Sequence, residues 1–239
     1  MTHWLALGRT SSGVKVFQML GDTFTRQHSA ASEADLRDIL NASDLVVRIG
    51  FGTAHTLPAP ILPETGMTLP NWDQKSPPDV ISGWVRLWIA GFLATHTDWD
   101  GVICVDHGDL THWIQISANE AISAQTVLTS RLIASLGGSN AASADALDDT
   151  LSRPERLAAH LRTAEVANAP DAITGHLIGA ELAATRPYWL GQTVAVISDQ
   201  PEFRVSALSA QAVPCTAHSP DNLIKSGLAT LARSLGLVT

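Results

Sequence analysis

Three observations make this sequence an α/β protein of two lobes. It opens with strand-like segments, and later strands alternate with helices. Between the two regions lies a stretch with six of the chain's twelve prolines (Pro58, Pro60, Pro63, Pro70, Pro77 and Pro78), which cannot extend a sheet or helix for long. The lobes expected on this pattern are residues 1–80 and 81–239, each built on a central sheet. With 239 residues, 45% hydrophobic and 16% charged, the chain has apolar surface enough for two cores.

Element by element, Trp4 to Leu7, Val14 to Leu20 and Thr23 to His28 read as a strand meander with a Gly21-Asp22 turn. Ser32 and Asp35 resemble a capping box ahead of a helix carrying Leu36, Ile39 and Leu40, and Leu45 to Phe51 is a buried strand. Thr53 to Pro78 is expected to wrap as a loop. Ile81 to Ala94 is helical, Gly101 to Asp106 and Trp113 to Ile116 are strands at hairpin distance, and Gln125 to Leu136 is a helix stopped by Gly137-Gly138. Helices are expected over Ser152 to Ala167, capped by Ser152 and Glu155, over Ala172 to Arg186, ended by Pro187, and over Asp221 to Leu235. Val194 to Ile197 and Val213 to Thr216 are short strands.

Fifteen basic residues against 23 acidic ones give a net charge of −8, which argues against a nucleic-acid partner. Cys104 and Cys215, with no C-x-x-C pair, suit a reduced intracellular chain. The amino terminus has no basic region followed by a long apolar run, so a cytoplasmic protein without membrane contact is expected. Scattered tryptophans such as Trp4, Trp72, Trp113 and Trp189 read as core residues.

The densest polar cluster, Asp106, His107, Asp109 and His112, follows an apolar strand, where α/β folds place ligands. Its spacing matches no metal signature, so no metal site is assigned, and a surface hairpin explains it equally well. The other histidines are scattered. The turn Gly8-Arg9-Thr10-Ser11-Ser12-Gly13 resembles a phosphate cradle, although any tight hairpin of small residues does. Gly175 and Gly179 each weaken a helix by roughly 1 kcal/mol against alanine, which points to close approach of a neighbouring backbone or a ligand, helix packing being the plainer reading.

Gly175-His176-Leu177-Ile178-Gly179-Ala180-Glu181-Leu182-Ala183, with Ser143-Ala144-Asp145-Ala146-Leu147 and Thr126-Val127-Leu128-Thr129, resembles the 2-dehydro-3-deoxygalactonokinase family. The resemblance is best from about Gly101 onward. It implies a two-lobed actin-like ATPase (ribonuclease-H-like) fold and ATP- and Mg²⁺-dependent phosphorylation of a sugar acid in galactonate breakdown. On this alignment Ser11, Ser12, Gly13, Ser198 and Asp199 lie on the nucleotide side, and Arg9 and Arg131 could hold the substrate carboxylate.

The chain departs from the family where chemistry is concentrated. An aspartate expected in the first phosphate loop is Gly8, and an Arg-Gly-Glu-Glu run is Ser82-Gly83-Trp84-Val85. A Thr-Gly-Glu run is Thr129-Ser130-Arg131, a Pro-Gly-Thr-His turn is His107-Gly108-Asp109-Leu110, and a late glycine turn is Ser198-Asp199. Asp106, Asp109 or Asp199 would have to supply the missing carboxylates, with Asp106 and Asp109 the catalytic candidates. Three functions stay open: a sugar-acid kinase with weak or lost catalysis, a non-catalytic binder of a sugar acid or nucleotide, and a partner subunit of an active paralogue. A homodimer is compatible with all three.

Overall fold

The structure, a computed structural model, describes residues 2–41, 43 and 45–238. The chain opens as the expected antiparallel meander, β1 (His3–Thr10), β2 (Gly13–Leu20) and β3 (Thr23–Ala30). Asp35 accepts from the backbone N–H and the hydroxyl of Ser32, starting a 3-10 turn that runs into α1 (Arg37–Leu40). Then come β4 (Val46–Ile49), β5 (His55–Thr56), β6 (Ala59–Pro60), β7 (Thr68–Leu69), β8 (Trp72–Lys75), β9 (Pro78–Ile81) and α2 (Gly83–Leu93).

By its contacts the chain forms two compact units, Met1–Asp100 with Ile116–Ser123 and Ser219–Thr239, and Gly101–Gln115 with Ala124–His218. This division differs from the expected break at residue 80, because α2 and the chain's last helix pack together in the first unit.

In the first unit the sheet order is β3-β2-β1-β4-β7, with β4 parallel to β1. As a central strand, β1 is buried on both faces. Trp4 and Ala6 join a cluster with Phe17, Ile49, Trp84 and Leu228, whereas Leu5 and Leu7 join Val14, Val16 and Leu36. The proline-rich stretch is not the expected bare loop. It carries β5 to β8, and β5, β8 and β9 form a separate small sheet. Buried Arg86 fastens it by donating to the carbonyls of Pro70 (2.7 Å), Ile61 (3.1 Å) and Pro60 (3.1 Å) beneath the Trp72 ring. Burial lowers the Arg86 pKa to about 9, which leaves it charged at neutral pH.

The second unit begins with β10 (Gly101–His107), β11 (Leu110–Ser117) and β12 (Glu120–Val127), of which Ile116–Ser123 belongs to the first unit. A helix starting at Gln125 is not formed. That segment ends β12, because Ala118 and Asn119, both at positive φ, close a hairpin that no glycine announces. The helix is α3 (Thr129–Ser135). Next is α4 (Ala144–Ser152), capped by Ser143. Ser152 therefore ends a helix instead of capping one, and Pro154 opens a 3-10 turn before α5 (Leu157–Val166). After α6 (Pro170–Ala184), Pro187 sits in the tolerant first turn of α7 (Arg186–Trp189) instead of acting as a terminator. The chain continues through β13 (Val194–Ile197), an unanticipated α8 (Glu202–Ala210), β14 (Cys215–His218) and α9 (Pro220–Ser234). Parallel strands β14, β13 and β10 lie beside β11 and β12.

Glycines set the helix spacing in both units. A Cβ on Gly175 would lie 2.4 Å from the Ser143 carbonyl oxygen and one on Gly179 2.4 Å from that of Leu147, so α6 and α4 touch backbone to backbone, as the sequence suggested. In the first unit, Gly91 of α2 and Gly227 of α9 make the same contact reciprocally, at 2.2 Å from the Leu223 oxygen and 2.3 Å from the Leu87 oxygen. Gly227→Ala, which gains roughly 1 kcal/mol in an isolated helix, is expected to destabilise here. Gly227→Val should cost about 3 kcal/mol by overpacking. Thermal melts of the two variants check the sign and the order.

Candidate functional site

In the first unit the candidate residues gather where β1 turns into β2. Thr10 pairs with Gly13 across the exposed turn Ser11-Ser12, and the Thr10 hydroxyl donates to the Gly13 carbonyl at 3.3 Å. Gly13 has φ +136°, and a Cβ there would lie 2.2 Å from the Ala30 oxygen. Packing against the end of β3 is thus enough to require this glycine, whatever the turn binds.

One turn back along the strand, Gly8 faces Trp84. A Cβ on Gly8 would stand 2.4 Å from Trp84 Cζ2, 2.8 Å from Cε2 and 3.1 Å from Ile49 Cβ. The indole is fixed from three directions. Its N–H donates to the Arg9 carbonyl at 2.6 Å, its ring meets Phe17 edge-on at 5.9 Å, and α2 starts one residue earlier on the Ser82 cap. Trp84 and Val85 are both buried. The volume beside Gly8 is filled with aromatic carbon.

Strand alternation sends Arg9 to the opposite face of the sheet. Its guanidinium lies 5.3 Å from the centroid of Phe51, as does that of Arg48 at 5.4 Å, and Arg48 also bonds Glu33 at 3.0 Å.

In the second unit, Asp106 ends β10 inside a closed network. Its Oδ1 accepts from the Thr111 hydroxyl (2.7 Å), and its Oδ2 from the Ser198 hydroxyl (2.8 Å) and Arg204 Nη1 (2.8 Å). Arg204, 3% exposed, also donates from Nε to Glu181 Oε1 (2.7 Å) and from Nη2 to Glu181 Oε2 (3.0 Å) and Thr111 (2.8 Å). The Trp113 indole donates to the same Glu181 at 3.2 Å. Burial works against the charge on Arg204, but Glu181 and Asp106 outweigh it and hold the guanidinium well above its ordinary range. Burial raises the neighbouring Cys104 thiol well above the thiol range, so it stays a neutral core residue at neutral pH.

Asp109 and Arg131, both half-exposed, are brought together and satisfy each other, Arg131 Nη2 lying 3.1 Å from Asp109 Oδ1. The hydrogen bond from Arg131 holds Asp109 below the usual carboxylate range. Ser198 is buried and accepts from the Gln200 N–H, while Asp199 is exposed. A cavity of about 390 Å³ opens here, lined among others by Asp106, Ser139, Asn140, Thr174, Gln200 and Arg204. Among the described residues no group of three or more His, Cys, Asp and Glu side chains could hold a metal ion.

The 2-keto-3-deoxy-galactonokinase family model matches residues 66–231. The chain belongs to this family. No curated protein matches it. Its fold is similar to that of a candidate 2-dehydro-3-deoxygalactonokinase from Sinorhizobium meliloti, at a TM-score of 0.79 and 17% identity, over 96% of this chain and 98% of that one. Component A of (R)-2-hydroxyglutaryl-CoA dehydratase from Acidaminococcus fermentans is similar at a TM-score of 0.51 and 8% identity, over 98% of this chain and 97% of that one. The fold is the mixed α/β, actin-like one that the sequence resemblance implies.

For this member of the 2-keto-3-deoxy-galactonokinase family, Glu181 and Arg204 are the residues that sequence reasoning missed. An acid amid the apolar residues of the second half of α6 was a readable signal for the first, while Arg204 lies in the helix that was not anticipated. No helix among the described residues is long and apolar enough to cross a membrane.

Proposed function

We propose that this chain is a sugar-acid-kinase-family protein whose phosphoryl transfer is weak or lost. The observation that carries the reading is the Trp84 ring filling the side-chain space of Gly8. The family resemblance puts carboxylates at positions 8, 84 and 85, and phosphoryl transfer depends on carboxylates that organise Mg²⁺ and accept a proton. Here none of those positions holds an acid, Gly8 has no room for one, and Trp84 and Val85 are buried. Of the candidate replacements, Asp106 is engaged by Arg204, Thr111 and Ser198 and Asp109 by Arg131, while Asp199 is exposed. These residues do not fit Mg²⁺·ATP, although the family suggests its use, and no catalytic step is assigned through it.

The cavity beside Asp106, with Ser139, Asn140, Gln200 and Arg204 among its lining, favours a second reading, a binding protein for a small sugar acid or nucleotide. Turnover of Mg·ATP with 2-dehydro-3-deoxygalactonate is expected to be absent or very slow against the roughly 1 to 100 per second of working kinases. Turnover near one per second overturns the proposal. Calorimetry with the sugar acid tests the binding reading: saturation at 100 times the dissociation constant should stabilise the fold by about 2.7 kcal/mol.

A further inference from the structure

In the second unit, far along the chain from Asp106, three helices meet on one hydroxyl. The Thr150 side chain of α4 lies 2.8 Å from Nδ1 of His160 on α5 and 2.8 Å from Nδ1 of His176 on α6. The imidazoles stack at 4.8 Å between centroids, and all three residues are buried. Asp149 Oδ2 stands 3.2 Å from the outer nitrogen of His160. The remaining charges facing the cluster are Arg153 of α4, which pairs with Asp149, and Arg156 of the 3-10 turn.

Hydrogen-bond arithmetic limits the protons this arrangement can hold. A threonine hydroxyl has one proton to give. With His160 donating its Nε2–H to Asp149, its Nδ1 is a lone pair that takes the Thr150 proton, and His176 donates its own Nδ1–H to the Thr150 oxygen. One further proton fits on His176 Nε2 without rearrangement. It also fits on His160, if the Thr150 hydroxyl turns to a His176 that has changed tautomer. A second does not fit: both Nδ1 atoms become donors, the Thr150 proton loses its imidazole acceptor, and two cations stack in a buried site.

We propose that Thr150, His160 and His176 form a proton-counting clamp that holds α4, α5 and α6 together while the pair carries at most one extra proton and releases them when both imidazoles are charged. The direction of titration agrees. Burial first, and His160 second, push His176 below its ordinary value of 6.5 and outweigh the backbone of Ala146, which hydrogen-bonds the ring, and Asp149, both of which favour its charged form, so the folded state binds fewer protons than the unfolded chain. The stability linked to His176 is present above pH 6.5 and is lost as pH falls through the lower folded value. Because α6 also carries Glu181, release reaches the Arg204 network. As regulation of that site the clamp rests on the proposed function; as a device of the fold it does not, and its test uses no turnover.

Amide hydrogen exchange should be measured on the full chain from about pH 7.5 to about pH 5.0, with protection factors corrected for intrinsic rates. Protection in α4, α5 and α6 is expected to fall more than about tenfold relative to β1 and β2. His176→Leu, which leaves one titratable ring, should abolish that difference, and His176→Gln serves should the leucine variant not fold. Imidazole ¹⁵N shifts at pH 7.5 should show Nε2–H on His160 and Nδ1–H on His176. A wild-type chain without the pH dependence, a folded His176 variant that keeps it, or the opposite tautomers would each overturn the clamp.

Discussion

Glu181→Leu is expected to cost about 3–5 kcal/mol, the usual result of removing one partner of a buried ion pair. The magnitude follows from what is left behind. Arg204 is 3% exposed and makes two of its hydrogen bonds to Glu181. Asp106 would remain as a counter-ion, but the Nε–H would be stranded in a dry core and the Trp113 indole would lose its acceptor. For a chain of this size the melting temperature should drop by about 10 °C. Replacing the pair together, Glu181→Leu with Arg204→Met, removes the stranded charge and should recover much of the loss, since hydrophobic replacement of a buried ion pair is often neutral or better. Melts of the two single variants and the double complete the cycle. A single variant within about 1 kcal/mol of wild type would show that the network contributes little.

Gly8→Asp, which introduces the aspartate that the sequence resemblance leads one to expect at this position, should destabilise the protein by more than about 4 kcal/mol. Its Cβ would lie 2.4 Å from the Trp84 ring, and its carboxylate would enter an apolar cluster without a partner. Trp84→Ala alone should cost about 3–5 kcal/mol through the cavity it leaves. Combined, the changes should cost less than their sum by about 1–3 kcal/mol, because the space lost by one is taken by the other. Urea denaturation of the four chains measures this coupling. Strict additivity would mean that Trp84 does not fill the aspartate's place, and the main support for weak or lost catalysis would go with it.

What the sequence determined by itself is what short range controls. The meander β1 to β3, the buried helix α2 and the closing helix α9 follow from residue alternation, helical spacing and turn chemistry, each readable in a window of about ten residues. Family and fold were legible from motifs spread over the carboxy-terminal half, and the resemblance itself marked positions 8, 84, 85 and 131 as places where an acid was expected and none stands. Elements were misread where the local signal was atypical: Ala118 and Asn119 turn a hairpin without glycine, and Ser152 is spaced like a cap yet ends a helix.

Only the tertiary structure decided that the tryptophan at 84 fills the space beside the glycine at 8. It alone decided that Asp106 is held by an arginine 98 residues away, and that Thr150 faces two histidines from two other helices. The physical reason is the same in each case. Local pattern fixes which face of an element is apolar, but the partner of a buried charge or the occupant of a glycine's vacant side is set by close packing between elements far apart in the chain.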